Sequence, residues 1–349
     1  MSEQEIRLTQ FSPGAGCGCK ISSANLDKIL SAVSEYPAIP QQIVGNSSKD
    51  DAAVYDLGDG YSVISTTDFF TPIVDDPFDF GRIASVNAIS DIYAMGGRPL
   101  MAIAILGWPV EKLSLDVASN VIEGARRVCH EAGIALAGGH SIEIADPVFG
   151  LAVTGHINTE LVKQNNKAKA GSTLYLTKHL GIGIIATAEK RGESNKDDIL
   201  NIVNSMTTLN SAGMSFARIP GVNAMTDVTG FGFLGHLLEI CEGSNVIAEI
   251  DMDKIPLLPN LNMYIEKKCF PGGTFRNFKS YGQKIAELTE REKVILCDPQ
   301  TSGGLLVSVE EDSKNNFLKI ASDINQQVYE VGRLLPNNGA EKIISISKN

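Results

Sequence analysis

The residues best suited to chemistry lie near the N-terminus, in Gly14-Ala15-Gly16-Cys17-Gly18-Cys19-Lys20. Three glycines let such a loop turn with positive φ and bring N–H groups toward a ligand. A thiol beside a lysine suits an activated nucleophile, because a nearby positive charge favours the thiolate. The same stretch also reads as a flexible arm with incidental cysteines. It is not a Walker A loop, since Lys20 does not follow a glycine and Ile21 stands where Ser or Thr is required. It is not a dinucleotide fingerprint, because no strand precedes it. Cys17 and Cys19 alone close no zinc site, with no second pair and no histidine nearby.

A second set of candidates is acidic. Asp50 and Asp51 precede AAVYDL, Asp68 follows VISTT, Asp91 lies in FGRIASVNAISDIYAM, and Asp227 lies in TDVTGFG. One aspartate after a strand is usually a turn or a cap. Several at such positions suit a divalent cation, and magnesium takes hard carboxylate and phosphate oxygens. Asn87 and Asp91 are i and i+4 and share one helix face. That face is otherwise small and apolar, so the polar pair there needs partners. Gly138-Gly139-His140-Ser141 follows the strand-like IALA, where glycines can form an N–H nest for an anion, and His140 reads equally as a cap or core histidine. TDVTGFGFLGH (226–236) and DPQTSGGLL (298–306) each set Asp, Thr and Gly beside an apolar element. Both read as anion sites at a helix start or as close packing between elements.

The elements that must position these groups follow from apolar periodicity. Strands are expected at 52–57 and 61–66 around the turn Gly58-Asp59-Gly60, and a helix at 80–95 stopped by Gly96-Gly97. A strand at 100–106, a helix at 114–132 and strands at 134–137 and 148–157 complete a first half. Residues 158–171 are polar and read as a linker. The second half is expected to hold strands at 173–177, 223–226, 246–250, 304–309, 328–332 and 342–346. Its helices are expected at 181–191, 197–217, in the tail of DVTGFGFLGH to about 242, and at 312–325. Several short strands follow one another directly, so the class is α+β (mixed α/β) in two domains rather than a doubly wound sheet.

Composition narrows the function. The 349 residues are 43% hydrophobic and 20% charged, an ordinary globular balance that excludes disorder as the main state. Asp plus Glu number 41 against 30 Lys plus Arg, and a net −11 disfavours nucleic-acid and anionic-membrane partners while leaving a small phosphate ligand open. MSEQEIRLTQ has no apolar core and the longest apolar run, near 99–110, is too short to span a bilayer, which predicts a soluble cytoplasmic protein. Of six cysteines, Cys129, Cys241 and Cys297 read as small core residues.

Taken together, the motifs resemble the selenophosphate synthetase (selenide, water dikinase) family. The resemblance is carried by GAGCGCKI, DDAAVYDL, VISTTDFFTPIVDDPFDFGRIAS, NAISDIYAMGG, MAIAILGWP, GIALAGGHSI, FGLAVTG, AMTDVTGFGFLGH, PGGTFRNF and CDPQTSGGLL, nearly end to end. It implies a two-domain fold of the aminoimidazole-ribonucleotide-synthetase type: a mobile catalytic arm (1–20), an ATP-binding and dimerisation domain (21–157), a linker (158–171) and a C-terminal α+β domain (172–349). It implies ATP- and Mg²⁺-dependent synthesis of selenophosphate from selenide, with AMP and orthophosphate released. The product would be the selenium donor for selenocysteine and selenium-modified tRNA. It further implies a homodimer sharing the nucleotide site, and leaves room for a selenium-delivery protein. Residue by residue, Cys17 and Lys20 match the catalytic pair. Asp51, Asp91 and Asp227 match magnesium ligands. Lys20, Ser48, Lys49, Asp50, Asp68, Asp91, Gly139, His140 and Ser141 match nucleotide contacts. Lys49 stands where arginine is expected, and lysine lacks the bidentate fork. Two other readings compete: another ATP-using enzyme of the superfamily, and a non-catalytic selenium carrier using Cys17 and Cys19.

Overall fold

The computed structural model describes residues 6–12, 14–21, 23–34, 37–45 and 50–347. Ser48 and Lys49 lie outside the described residues. The strands are β1 (Gln42–Val44), β2 (Ala53–Asp56), β3 (Tyr61–Phe70), β4 (Arg98–Trp108), β5 (Ala135–Glu143), β6 (Val148–Asn158), β7 (Thr173–Leu176), β8 (Val222–Asp227), β9 (Val246–Asp251), β10 (Leu305–Val309), β11 (Tyr329–Pro336) and β12 (Ile344–Ser347). The helices are α1 (Ser23–Ser31), α2 (Pro77–Ala94), α3 (Leu115–Glu131), α4 (Ile182–Lys190), α5 (Lys196–Met206), α6 (Gly213–Phe216), α7 (Gly232–Ser244), α8 (Leu261–Glu266), α9 (Gly272–Tyr281), α10 (Glu290–Leu296) and α11 (Lys314–Asp323). Among the described residues the strands form two six-stranded sheets, ordered β1-β2-β3-β6-β4-β5 and β12-β9-β11-β7-β10-β8. Both are mixed, with β4–β5 and β9–β12 parallel and the other pairs antiparallel, so the α+β expectation holds.

The central helix of the site is α2. Pro77 sits in its first turn and the Asp76 carboxylate accepts the Asp79 N–H at 2.8 Å, a cap that fixes where the helix starts. Phe80, Ile83, Ile89 and Ile92 are fully buried, each worth roughly 1.5–3 kcal/mol of transfer free energy. The helix is buried on nearly every side, packed against α3, the first sheet and β8. Helix α3 is instead amphipathic, with Val117, Val121, Ala125 and Val128 inward.

Along β3 the pleat alternates. Ser62, Ile64, Thr66, Asp68 and Phe70 are more buried than Tyr61, Ser65, Thr67 and Phe69. Thr66 and Asp68 bond to α2 side chains, so the buried set faces that helix. The opposite face is open: Tyr55, Tyr61, Phe69, Met101, Ile103 and Ile142 are about half exposed.

Three expectations change. β5 runs on to Glu143, so Gly139-His140-Ser141 is strand and not a nest after one; these residues pair with Ala104, Ile105 and Leu106 of β4. The helix expected over 197–217 is split into α5 and α6. In the break, Asn210 donates to Ser90 Oγ and the Gly303 carbonyl, and Lys178 donates to the Thr208 carbonyl, buried bonds that a continuous helix would not allow. Residues 158–171 hold two short 3₁₀ turns, and Asn165 is buried with its N–H on Asp50. Helices α8, α9 and α10 lie where the periodicity was too short to be read.

Candidate active site

Four elements bring the acidic residues together. Asp51 precedes β2, Asp68 lies on the inner face of β3, Asp91 on α2, and Asp227 ends β8 in the second sheet. One carboxylate oxygen from each of Asp51, Asp91 and Asp227 falls within 4.8 Å of the others. Threonines orient two of them: Thr226 Oγ1 donates to Asp51 at 2.8 Å and Thr66 Oγ1 to Asp91 at 2.5 Å. Asp51 Oδ2 and Asp227 Oδ2 are buried without a hydrogen-bond partner among the described residues. Burial first, then their neighbours' negative charge, raises the Asp51 and Asp91 pKa values well above the carboxylate range. Burial also raises that of Asp227, eased by Ser90 and His236. Convergent hard oxygens with orphaned lone pairs are the donor set of a divalent cation such as Mg²⁺, so the residues fit one.

The arm lies against this cluster. Cys17 sits in a 3₁₀ turn over Gly16–Cys19 and is 1% exposed. Its N–H donates to Thr301 Oγ1 at 2.9 Å and its thiol to Asn87 Oδ1 at 3.2 Å. Asn87 Oδ1 also takes the Ser302 N–H at 2.7 Å, and Asn87 Nδ2 donates to Asp68 Oδ2. The same Asp68 oxygen lies 3.5 Å from Lys20 Nζ. A Cβ on Gly16, at φ +51, would stand 2.4 Å from Thr301 Oγ1, so only glycine lets the turn close there. Asn87 and Asp91 do share a face, and each finds the partners that a buried polar group requires.

Burial and then Asp68 push the Cys17 thiol pKa above its ordinary value, against the downward pull of Lys20. Lys20 itself stays protonated: partial desolvation lowers its pKa, while Asp68, Cys17, Asp91 and Asp227 raise it further.

Other expected residues stand apart. Asp50 accepts the Asn165 N–H at 2.6 Å, tying the two halves of the chain. Gly139, His140 and Ser141 lie exposed on the edge strand β5, apart from the cluster. Cys19 is exposed, with its sulfur 2.9 Å from Thr71 Oγ1. Thr66 was missed as a site residue, while Thr226, Thr301 and Ser302 were read only as parts of the two candidate anion motifs. Thr226 adjoins a candidate aspartate, whereas Thr301 reaches Cys17 across 284 positions.

Comparisons with known proteins give the family. Residues 49–157 match AIR synthase related protein, N-terminal domain, and residues 169–344 match AIR synthase related protein, C-terminal domain. A selenide, water dikinase of Haemophilus influenzae (strain 86-028NP) is 57% identical over 346 residues, 99% of this chain and 100% of its own. One of Aeromonas hydrophila is 57% identical over 97% of this chain and 98% of its own. The solved structure of AaThiL complexed with AMPPCP and TMP shares the fold at a TM-score of 0.68, with 19% identity over 93% of each chain. On this full-length similarity, together with the two matched domains, the chain belongs to the selenide, water dikinase family.

Proposed function

We propose that this enzyme makes selenophosphate from selenide and ATP, releasing AMP and orthophosphate. The observation that carries the reading is the meeting of the Cys17 thiol and the Lys20 ammonium on the Asn87–Asp68 pair, beside the Asp51, Asp91 and Asp227 carboxylates. One phosphoryl group passes to selenium as its bond to the nucleotide oxygen breaks. Water cleaves the remaining anhydride, leaving orthophosphate and AMP.

Phosphoryl transfer asks chiefly for positioning and charge neutralisation. Lys20, held by Asp68, neutralises phosphate oxygens from the arm side. Asp51, Asp91 and Asp227 would hold Mg²⁺, which when bound neutralises phosphate charge. Asn87 fixes the Cys17 sulfur beside the phosphate-binding lysine, where it lines the approach of a soft selenium nucleophile. The arm covers the cluster and excludes water from it, and its glycines let it open for ATP and close again.

The half-exposed apolar face of the first sheet supports a homodimer in which two such faces pack together. Gly139, His140 and Ser141 border that face, which suits nucleotide contacts supplied across the dimer. Among the described residues no helix is long and apolar enough to cross a membrane, and all six cysteines are free thiols. A cytoplasmic site, where thiols stay reduced, fits both this and a reduced selenium substrate. A delivery protein could supply selenide to the arm.

The test is nucleotide analysis by ion-exchange chromatography after anaerobic incubation with Mg-ATP. AMP should form only when selenide is present. Accumulation of ADP alone, with or without selenide, overturns the reading and favours a simple kinase of the same fold.

A further inference from the structure

The segment PGGTFRNF, residues 271–278, takes no part in the acidic cluster. It forms the start of α9, and two consecutive side chains of that helix reach three different parts of the site. Arg276 Nη2 donates to the Gly18 carbonyl at 2.8 Å. Asn277 Nδ2 donates to the Gly230 carbonyl at 2.9 Å and to the Cys297 carbonyl at 3.1 Å. Gly230 follows Asp227 in the chain and touches the arm, since a Cβ there would stand 2.6 Å from the Cys17 carbonyl. Cys297 leads into the stretch that carries Thr301 and Ser302. Two adjacent positions of α9, one exposed and one buried, therefore span the arm, the loop behind Asp227 and the loop that holds Cys17.

Gly18 lies between Cys17 and Lys20, so a bond to its carbonyl constrains both functional side chains at once. A glycine-rich arm loses much conformational freedom on docking, and its docked fraction depends on few anchors. They include Thr301 on the Cys17 N–H, the Thr71 carbonyl on the Gly16 N–H, Asn87 on the Cys17 thiol, Asp68 on Lys20, Lys190 on the Ser12 carbonyl and Arg276 on the Gly18 carbonyl. Thr301 and Lys190 hold the arm at Cys17 and before it. Arg276 acts on the Cys17–Lys20 turn itself.

We propose that Arg276 is a positioning residue that latches the arm onto α9 and so sets Cys17 and Lys20 against the acidic cluster. It does not touch the reacting atoms; it shifts the balance between docked and undocked arm. The assignment deepens the proposed function and rests on it for the reaction, while the latch itself can be judged without catalysis.

The experiment compares wild type, Arg276→Met, which keeps the stem and loses the donors, and Arg276→Lys, which restores a charged donor. Each is alkylated anaerobically with iodoacetamide without nucleotide, and cysteine peptides are quantified by mass spectrometry. Cys17 should react roughly fivefold faster in Arg276→Met, as expected for one lost hydrogen bond, and near the wild-type rate in Arg276→Lys. Cys241 and Cys297, both buried, should stay protected. Selenophosphate formation by Arg276→Met should fall in kcat by about tenfold, near 1.4 kcal/mol, with KM for ATP little changed. Unchanged Cys17 labelling overturns the latch. So does labelling of Cys17 and Cys297 rising together, which means that α9 has come apart. Faster labelling with kcat unchanged overturns the positioning role. A wild type that makes no selenophosphate overturns the function alone, because the labelling still decides the latch.

Discussion

The acidic cluster and the arm are built in opposite ways. Asp68, Asp91 and Asp227 sit on β3, α2 and β8, with Asp51 just ahead of β2; regular elements fix their backbones, and threonines orient Asp51 and Asp91. Cys17 and Lys20 sit on a short glycine-rich turn held by isolated contacts to Thr71, Asn87, Thr301, Asp68 and Arg276. The cluster gains its chemistry by crowding like charges, at a cost in stability that a cation relieves. The arm gains its chemistry by docking. A site that must admit a triphosphate and then exclude water needs one rigid wall and one movable wall.

The strongest challenge to the rigid wall is Asp227→Asn. It should weaken Mg-ATP binding by at least about tenfold, as for lost metal ligation, measured by calorimetric titration. It should leave the unliganded protein as stable as wild type, because a buried carboxyl crowded by charge is replaced by a neutral group. Wild-type affinity would remove Asp227 from the metal set.

The second challenge uses pH. Asp51, Asp91 and Asp227 keep their protons to higher pH in the fold than in the unfolded chain. Their burial therefore favours the fold in acid, and this contribution is lost as pH rises through the raised folded-state values. A cation binds the ionised carboxylates and offsets the loss. Mg²⁺ should raise Tm by a few degrees near pH 8 and by less near pH 5.5, read by differential scanning calorimetry. Equal shifts at both pH values contradict the account.

The smallest effect sharpens the movable wall. Thr301→Val keeps the shape and removes the acceptor of the Cys17 N–H. A drop in kcat of roughly five- to tenfold is expected, the size of one orphaned buried donor, with ATP affinity unchanged. A loss shared equally by ATP binding would place Thr301 in the nucleotide site instead.

Much of the rigid wall was legible in the sequence. Aspartates at strand ends and the i, i+4 spacing of Asn87 and Asp91 report local geometry, and local geometry is what periodicity encodes. Resemblance, not periodicity, separated the three proposed metal ligands from Asp50. The contacts of the arm were illegible because Thr301 and Arg276 reach it across more than 200 positions. No spacing rule spans that distance. The Gly138–Ser141 nest failed for a related reason: pairing with β4 carries the strand through residues that look like a stop. At Cys17 burial, invisible in a local motif, works against the pull of the adjacent lysine on the thiol.

In the proposed reaction Cys17 on the arm and the carboxylates beneath it form one site for phosphoryl transfer to selenium. Anaerobic phosphorus NMR of wild type and Cys17→Ser with Mg-ATP and selenide tests it most directly. Wild type should show a selenophosphate resonance growing in step with AMP and orthophosphate, while Cys17→Ser binds ATP and shows no such resonance. Selenophosphate formed by Cys17→Ser at the wild-type rate would contradict the account.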